Sequence, residues 1–218
     1  MKNKNILISG CSFSASQKNK KHFGWIPYSD LLSNDFNVIN LSKESRGNGY
    51  IVDSIVNYIE NIDKPDYIIV QLSAFTRLID NMEDRYNSGF VGDLYEHLYN
   101  KDYLDIESWN KFDNQIYLHN FVKIKMLIEY LKNTKIPHII FFGWNQISNN
   151  SEWESKFENI IKDNTNFWRF NKLGGLLEFG IDVYGDNAKV NEEDFHPTSE
   201  VHLDFYKKII KPRIDENR

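Results

Sequence analysis

The sequence predicts an α/β protein: a three-layer α/β/α sandwich built on a flavodoxin-like parallel sheet, with a helical, aromatic-rich insertion. Three observations predict it. Short apolar runs of strand length alternate with amphipathic stretches of helical spacing, the pattern of a parallel sheet covered on both faces. The runs Tyr67–Leu72 and Pro137–Trp144 are continuously apolar, as strands buried on both faces are. Small-residue loops follow the first three strands, where an open parallel sheet places its sites.

Taken in order, Asn5–Ser9 reads as the first strand, and Gly10 permits a sharp turn after it. Phe23–Leu32 has helical spacing, with Trp25, Tyr28, Leu31 and Leu32 able to share a face. Phe36–Leu41 is the second strand. Tyr50–Ile59 is an amphipathic helix, with Ile51, Ile55 and Ile59 four apart. Lys64-Pro65-Asp66 precedes the third strand, Tyr67–Leu72. Asp80–Asn114 carries Tyr86, Phe90, Tyr95, Tyr99, Tyr103 and Trp109. It is too long for a bare loop in a compact domain and reads as an insertion, about residues 80–114, with helical turns of its own. Gln115–Leu131 is a helix with Phe121, Ile124, Ile128 and Leu131 on one stripe. Pro137–Trp144 is the fourth strand. Asn145–Asn191 is irregular, with a last short strand at Phe179–Val183 after Gly174-Gly175. Val201–Ile210 closes the chain as a helix, with Val201, Phe205 and Ile209 in register. No internal repeat divides the chain, so its 218 residues read as a single domain.

Composition narrows the function. A formal net charge of -5 argues against a nucleic-acid surface as the main business. No run of 18 apolar residues predicts a membrane span, and the apolar stretch behind Met1-Lys2-Asn3-Lys4-Asn5 is too short for a signal peptide. With one cysteine, Cys11, no intrachain disulfide or cysteine-rich metal site can form. The expected address is cytoplasmic. No histidine pair shows metal-ligand spacing, and neither a Gly-x-Gly-x-x-Gly nor a P-loop lysine follows the first strand. Neither metal nor cofactor is expected.

The candidate chemistry lies at opposite ends of the chain. Ser12 sits just past the first strand, in Ser9-Gly10-Cys11-Ser12-Phe13-Ser14. Glu193-Asp194-Phe195-His196-Pro197 supplies an imidazole with carboxylates two and three residues before it. A fold that joins them makes a Ser-His-acid nucleophile, which is recognised by roles and not by chain order. Two further loops reach the same rim, Ser45-Arg46-Gly47-Asn48-Gly49 and Ser73-Ala74-Phe75-Thr76-Arg77. Gly47 offers a backbone N–H and Asn48 a side-chain amide. Such residues populate turns anyway; their coincidence at three strand ends, together with the late histidine, gives them weight. Arg77 is a candidate for an anionic substrate group, or for a surface ion pair. Cys11, beside a strand, reads as a buried and inert thiol.

Gly10-Cys11-Ser12, then Gly47 in Ser45-Arg46-Gly47-Asn48 after Asn40-Leu41, then Asp194-Phe195-His196-Pro197 resemble, in order, the blocks of the SGNH (GDSL-like) hydrolase family. The resemblance spans nearly the whole chain. It implies a three-layer α/β/α fold and hydrolysis or transfer of ester-linked acyl groups, often acetyl groups on carbohydrates. It implies Ser12 as nucleophile, His196 as general base, and Asp194, or secondly Glu193, as the orienting acid. The amides of Ser12 and Gly47 would stabilise the oxyanion. The sequence departs from the family twice. Cys11 replaces the usual Asp beside the serine. The third block, normally Gly-x-Asn-Asp with its Asn an oxyanion donor, reads Gln71-Leu72-Ser73-Ala74-Phe75-Thr76-Arg77, with Phe75 nearest the Asn position. Ser73, Thr76 and Asn48 are the candidates to replace that donor. The expected activity is removal of an acyl group, acetyl above all, from a carbohydrate or small ester. The alternatives are an acyltransferase and a catalytically weakened carbohydrate-binding module on the same fold. The expected partner is a small-molecule or glycan ester, with no nucleic acid and no membrane.

Overall fold

The computed structural model describes residues 4–17, 24–75, 106–145 and 151–216, with the side chains of 106–113 outside the description. Five parallel strands, β1 (Asn5–Ser9), β2 (Asn37–Asn40), β3 (Tyr67–Leu72), β4 (His138–Phe142) and β5 (Phe167–Trp168), form one sheet in the order β2-β1-β3-β4-β5. That is the flavodoxin-like order, whose strand sequence reverses between β1 and β3. The register runs Ile8↔Asn40 between β1 and β2, Ile8↔Ile69 between β1 and β3, and Ile69↔Ile139 between β3 and β4.

The period of two along each strand divides the core into two halves. Leu7, Ile68, Val70, Leu72, Ile140 and Phe142 face α2 (Asn48–Asn61), α3 (Ile106–Thr134) and α4 (Ser151–Ile161). Ile6, Ile8, Tyr67, Ile69, Ile139 and Phe141 face the other layer, where α1 (Tyr28–Leu32), α5 (Leu176–Tyr184) and α6 (Ser199–Phe205) contribute Tyr28, Leu32, Leu176, Val201 and Phe205. Every residue of β3 and β4 is buried, as their continuous apolar runs require. No helix of the described residues is long and apolar enough to cross a membrane.

The elements differ from the sequence reading in four places. The first helix starts at Tyr28, directly after Pro27, whose fixed φ suits a helix start better than an interior. The long helix starts at Ile106, so residues 106–114 of the expected insertion belong to α3. The earlier part of that insertion, together with Thr76 and Arg77, lies outside the described residues. The irregular stretch contains α4, β5 and α5, and Phe179–Val183 is helix, not strand. There Glu178 accepts from the Gly175 N–H at 2.7 Å and from the Asn145 N–H at 3.0 Å, covering one of the free donors at the helix entry. Gly180 lets α5 close on α6: a Cβ there would stand 2.7 Å from Val201 Cγ1. The closing helix is longer than expected and interrupted. A π turn over Tyr206–Ile210 joins α6 to α7 (Lys211–Glu216), with the Lys211 N–H donating to Tyr206 O. Pro212 follows at once and has no N–H for a regular ladder.

Candidate active site

Ser12 stands on a loop held from three sides. After β1 the chain closes a helical turn, with the N–H groups of Ser14 and Ala15 both donating to Cys11 O at 3.0 Å. Gln71, near the end of β3 and fully buried, lies underneath. Its Oε1 accepts from the Cys11 N–H at 3.1 Å and from Ser14 Oγ at 3.1 Å, and its Nε2 donates to Leu72 O at 2.7 Å. A Cβ on Gly10 would lie 2.8 Å from Gln71 Oε1, and one on Gly143 2.5 Å from its Nε2. Both glycines therefore make room for this amide. Asn40 Nδ2 donates to Ser14 O at 2.8 Å, and Ser14 Oγ pairs with Tyr28 Oη at 2.6 Å. Burial drives the Tyr28 phenol well above its usual pKa, against the Ser14 hydrogen bond, so it remains a neutral hydroxyl. Cys11 is wholly buried, as its place beside the strand suggested.

The segment Lys189–Thr198 presents the imidazole. It closes on itself through Val190 N–H to His196 O at 3.0 Å and Thr198 N–H to Ala188 O at 2.9 Å. Asn191 Oδ1 accepts from the N–H groups of Glu193 (2.9 Å) and Asp194 (2.7 Å), an Asx-type turn that sets the Asp194 carboxylate. Asp194 Oδ1 then takes two hydrogen bonds from one residue, the His196 backbone N–H at 3.0 Å and the His196 Nδ1–H. Burial pulls the Asp194 carboxyl up, but these hydrogen bonds and the charge of His196 outweigh it and hold it below the usual carboxylate range. The His196 ring lies between Phe13, at 5.2 Å, and Trp25, stacked at 5.1 Å and 21°. Asp194 engages Nδ1, so Nε2 is the nitrogen left for a reacting group.

Ser12 and His196 meet at one pocket of about 460 Å³, lined among the described residues by Ser12, Phe13, Trp144, Leu177, Glu193, Asp194, Phe195 and His196. Its walls come from the loops after β1 and β4, the start of α5 and the late His segment, at the carboxyl ends of the strands. Glu193 is on the exposed rim, and Asp194 is the carboxylate bonded to the ring.

No protein-family model matches the sequence, and no curated protein matches it. Solved structures match its architecture. The esterase EstA from a Pseudoalteromonas species, inhibited by monoethylphosphonate, is 17% identical at a TM-score of 0.55, over 96% of this chain and 98% of that one. TesA is 10% identical at 0.54, over 99% and 100%. A Bacillus subtilis protein, YxiM, is 10% identical at 0.54, over 97% of this chain and 56% of its own. This chain has the SGNH-type fold.

Within the SGNH-type fold, Gly47, Asn48 and Ser73 stand apart from the pocket lining. Gly47 is the N-cap of α2, with its backbone extended. Asn48 is fully buried, and its amide is wholly committed. Its Oδ1 accepts from the Ser73 N–H at 2.8 Å, and its Nδ2 donates to Ser73 O at 3.1 Å and to Asn120 Oδ1 at 2.8 Å. Asn120 in turn donates to Phe75 O at 3.0 Å and Ile116 O at 2.9 Å. This network ties the start of α2 to the end of β3 and to α3. The sequence reading missed Gln71, Asn120, Asn191 and the ring pair Phe13 and Trp25. Gln71 had a visible signal, since a polar side chain in a strand buried on both faces must find partners.

Proposed function

We propose that the protein is a serine-dependent ester hydrolase of the SGNH type. The observation that carries this reading is the meeting of Ser12 with the Asp194–His196 pair in one pocket. His196 Nε2 takes the Ser12 hydroxyl proton as Oγ attacks the ester carbonyl carbon. The tetrahedral intermediate collapses by breaking the carbon–oxygen bond to the alcohol, which leaves with the proton from Nε2. Water then attacks the acyl-serine with the same imidazole as base, and the carboxylic acid departs. Asp194 stays ionised, holds the Nδ1–H tautomer and stabilises the imidazolium. The face of Trp25 favours the same cation.

The oxyanion is assigned to the backbone N–H of Ser12, the expected donor that lines the pocket among the described residues; Gly47, at the N-cap of α2, does not line it. The side-chain amide of Asn48 and the N–H of Ser73 are spent on each other and on Asn120, so they support the rim and do not serve as donors. A backbone donor fixed by the fold costs no reorganisation during the reaction. The small-ester or glycan-ester substrate expected from the sequence belongs to this proposal. The test is labelling by a small fluorophosphonate, together with turnover of p-nitrophenyl esters. Wild type should react, and Ser12→Ala and His196→Ala should lose at least about 10³-fold in kcat. Turnover by Ser12→Ala at the wild-type rate would refute the assignment.

A further inference from the structure

The imidazole assigned as general base is held by more than its carboxylate. Asp194 Oδ1 accepts from the His196 Nδ1–H and from the His196 backbone N–H, which fixes one edge of the ring. A hydrogen bond at one edge sets a point, and the ring can still tilt about it. Tilt swings Nε2, on the far edge, away from Ser12. The plane of the ring has to be set by packing against its faces. Trp25 lies against the ring at 5.1 Å and 21°, and Phe13 meets it at 5.2 Å and 58°. Of the two, the indole lies nearer parallel.

Trp25 is itself anchored. It is 2% exposed and also stacks on His202, at 5.2 Å and 13°. Next to it in the chain, the Ile26 N–H donates to Ser199 Oγ at 2.9 Å, which ties this segment to the start of α6. Pro27 follows as the N-cap of α1. The indole N–H, by contrast, is buried with no hydrogen-bond partner among the described residues. A buried Trp ordinarily finds one. Leu or Phe would fill this interior with no orphaned donor, so burial alone does not account for an indole here. Trp25 is not among the described residues that line the pocket. Its contact is with the imidazole.

We propose that Trp25 is a positioning residue: its indole face, stacked on His196, fixes the plane of the ring and keeps Nε2 directed at Ser12. The proposal rests on the reading of His196 as general base to Ser12. Misplacement of a reacting group by about 1 Å costs about 10²-fold in rate, so loss of the stacked face should be felt in kcat.

The experiment measures p-nitrophenyl acetate turnover by the full chain. Trp25→Leu keeps an apolar side chain without a ring; kcat should fall at least about 30-fold, with KM within about twofold. Trp25→Phe restores a stacking face and should recover kcat to within about fivefold of wild type. Leu131→Ala opens a cavity in the other half of the core and should keep kcat, which separates positioning from lost stability. If Trp25→Leu fails to fold, wild type supplies the second measurement. In enzyme labelled at Ser12 by a fluorophosphonate, nuclear Overhauser contacts should join the His196 ring protons to the Trp25 indole. A wild-type kcat in Trp25→Leu, an effect confined to KM, a Trp25→Phe no better than Trp25→Leu, or an equal loss in Leu131→Ala overturns the proposal and leaves Ser12 and His196 in their roles. Labelled enzyme without the Overhauser contacts overturns it as well. An absence of labelling, with no Ser12-dependent turnover, overturns the nucleophile reading and this proposal with it.

Discussion

Acid should unfold this protein through His202, a residue outside the pocket. Its imidazole is fully buried in α6, stacked on Trp25 at 5.2 Å and facing Tyr28 at 6.0 Å. Neither ring nitrogen has a hydrogen-bond partner among the described residues. A proton there finds no hydrogen-bond acceptor among the described residues, and His196 also stacks on Trp25. Burial first, and the charge of His196 second, push its pKa from the usual 6.5 down to about 3. The unfolded chain takes up this proton near pH 6.5 and the folded chain only near pH 3, so between those values the unfolded state binds more protons. Stability from this residue is complete above about pH 6.5 and is lost as the pH falls towards 3. The slope is about 1.4 kcal/mol per pH unit, so about 2 kcal/mol is lost by pH 5, a large part of a typical stability of about 5–15 kcal/mol. Urea denaturation of wild type and His202→Phe at pH 7, 6 and 5 measures it. Phe keeps the stacking and removes the titration. Wild type should lose about 2 kcal/mol more than the variant between pH 7 and 5. His138, also buried and also lowered by desolvation, contributes to both proteins and cancels in the difference. Parallel losses in the two proteins would refute the argument.

Two further outcomes follow from the site. In Gln71→Leu, the Cys11 N–H and Ser14 Oγ lose their buried acceptor, at a cost of about 1–3 kcal/mol; kcat on p-nitrophenyl esters should fall with little change in KM, and an unchanged kcat would show that Asn40 and Tyr28 hold the loop unaided. The acid limb of kcat/KM should follow a single proton, because Asp194, its pKa lowered by the His196 hydrogen bonds, keeps its charge through it; a limb with two protons would show the carboxylate titrating alongside the ring.

The parts of the fold legible in the sequence are those set by local pattern. The apolar runs of β1, β3 and β4 and the four-residue spacing in α2 carry their own signal, and so does the placement of Ser12 and His196 at the rim. What escaped reading depended on contacts between distant segments. Phe179-Gly180-Ile181-Asp182-Val183 looks like a strand in isolation, yet Glu178 reaching Gly175 and Asn145, and Gly180 fitting under Val201, make it helix. β5 is two residues long, too short for any periodicity to show. Asn48 reads as a donor near a strand end; only the positions of Ser73 and Asn120, 25 and 72 residues away, reveal that its hydrogens are already taken.

The same contacts explain the departure at the third block. Phe75, nearest the family's Asn position, is 2% exposed, stacks on Phe157 at 4.9 Å and meets Phe142 and Tyr117 edge-on. An Asn there would have to leave a cavity in the core or place an amide among rings. The Phe75 carbonyl is accounted for too, by Asn120 reaching across from α3. The position is therefore occupied by packing, with its backbone already satisfied. Polar side chains at this end of the sheet, Gln71, Asn48 and Asn120, are turned to holding the ends of β1, β3 and α2 in register. In the proposed mechanism, a site built this way relies on backbone amide donation for oxyanion stabilisation. Its side chains then act on the reaction through the position they give the Ser12 loop.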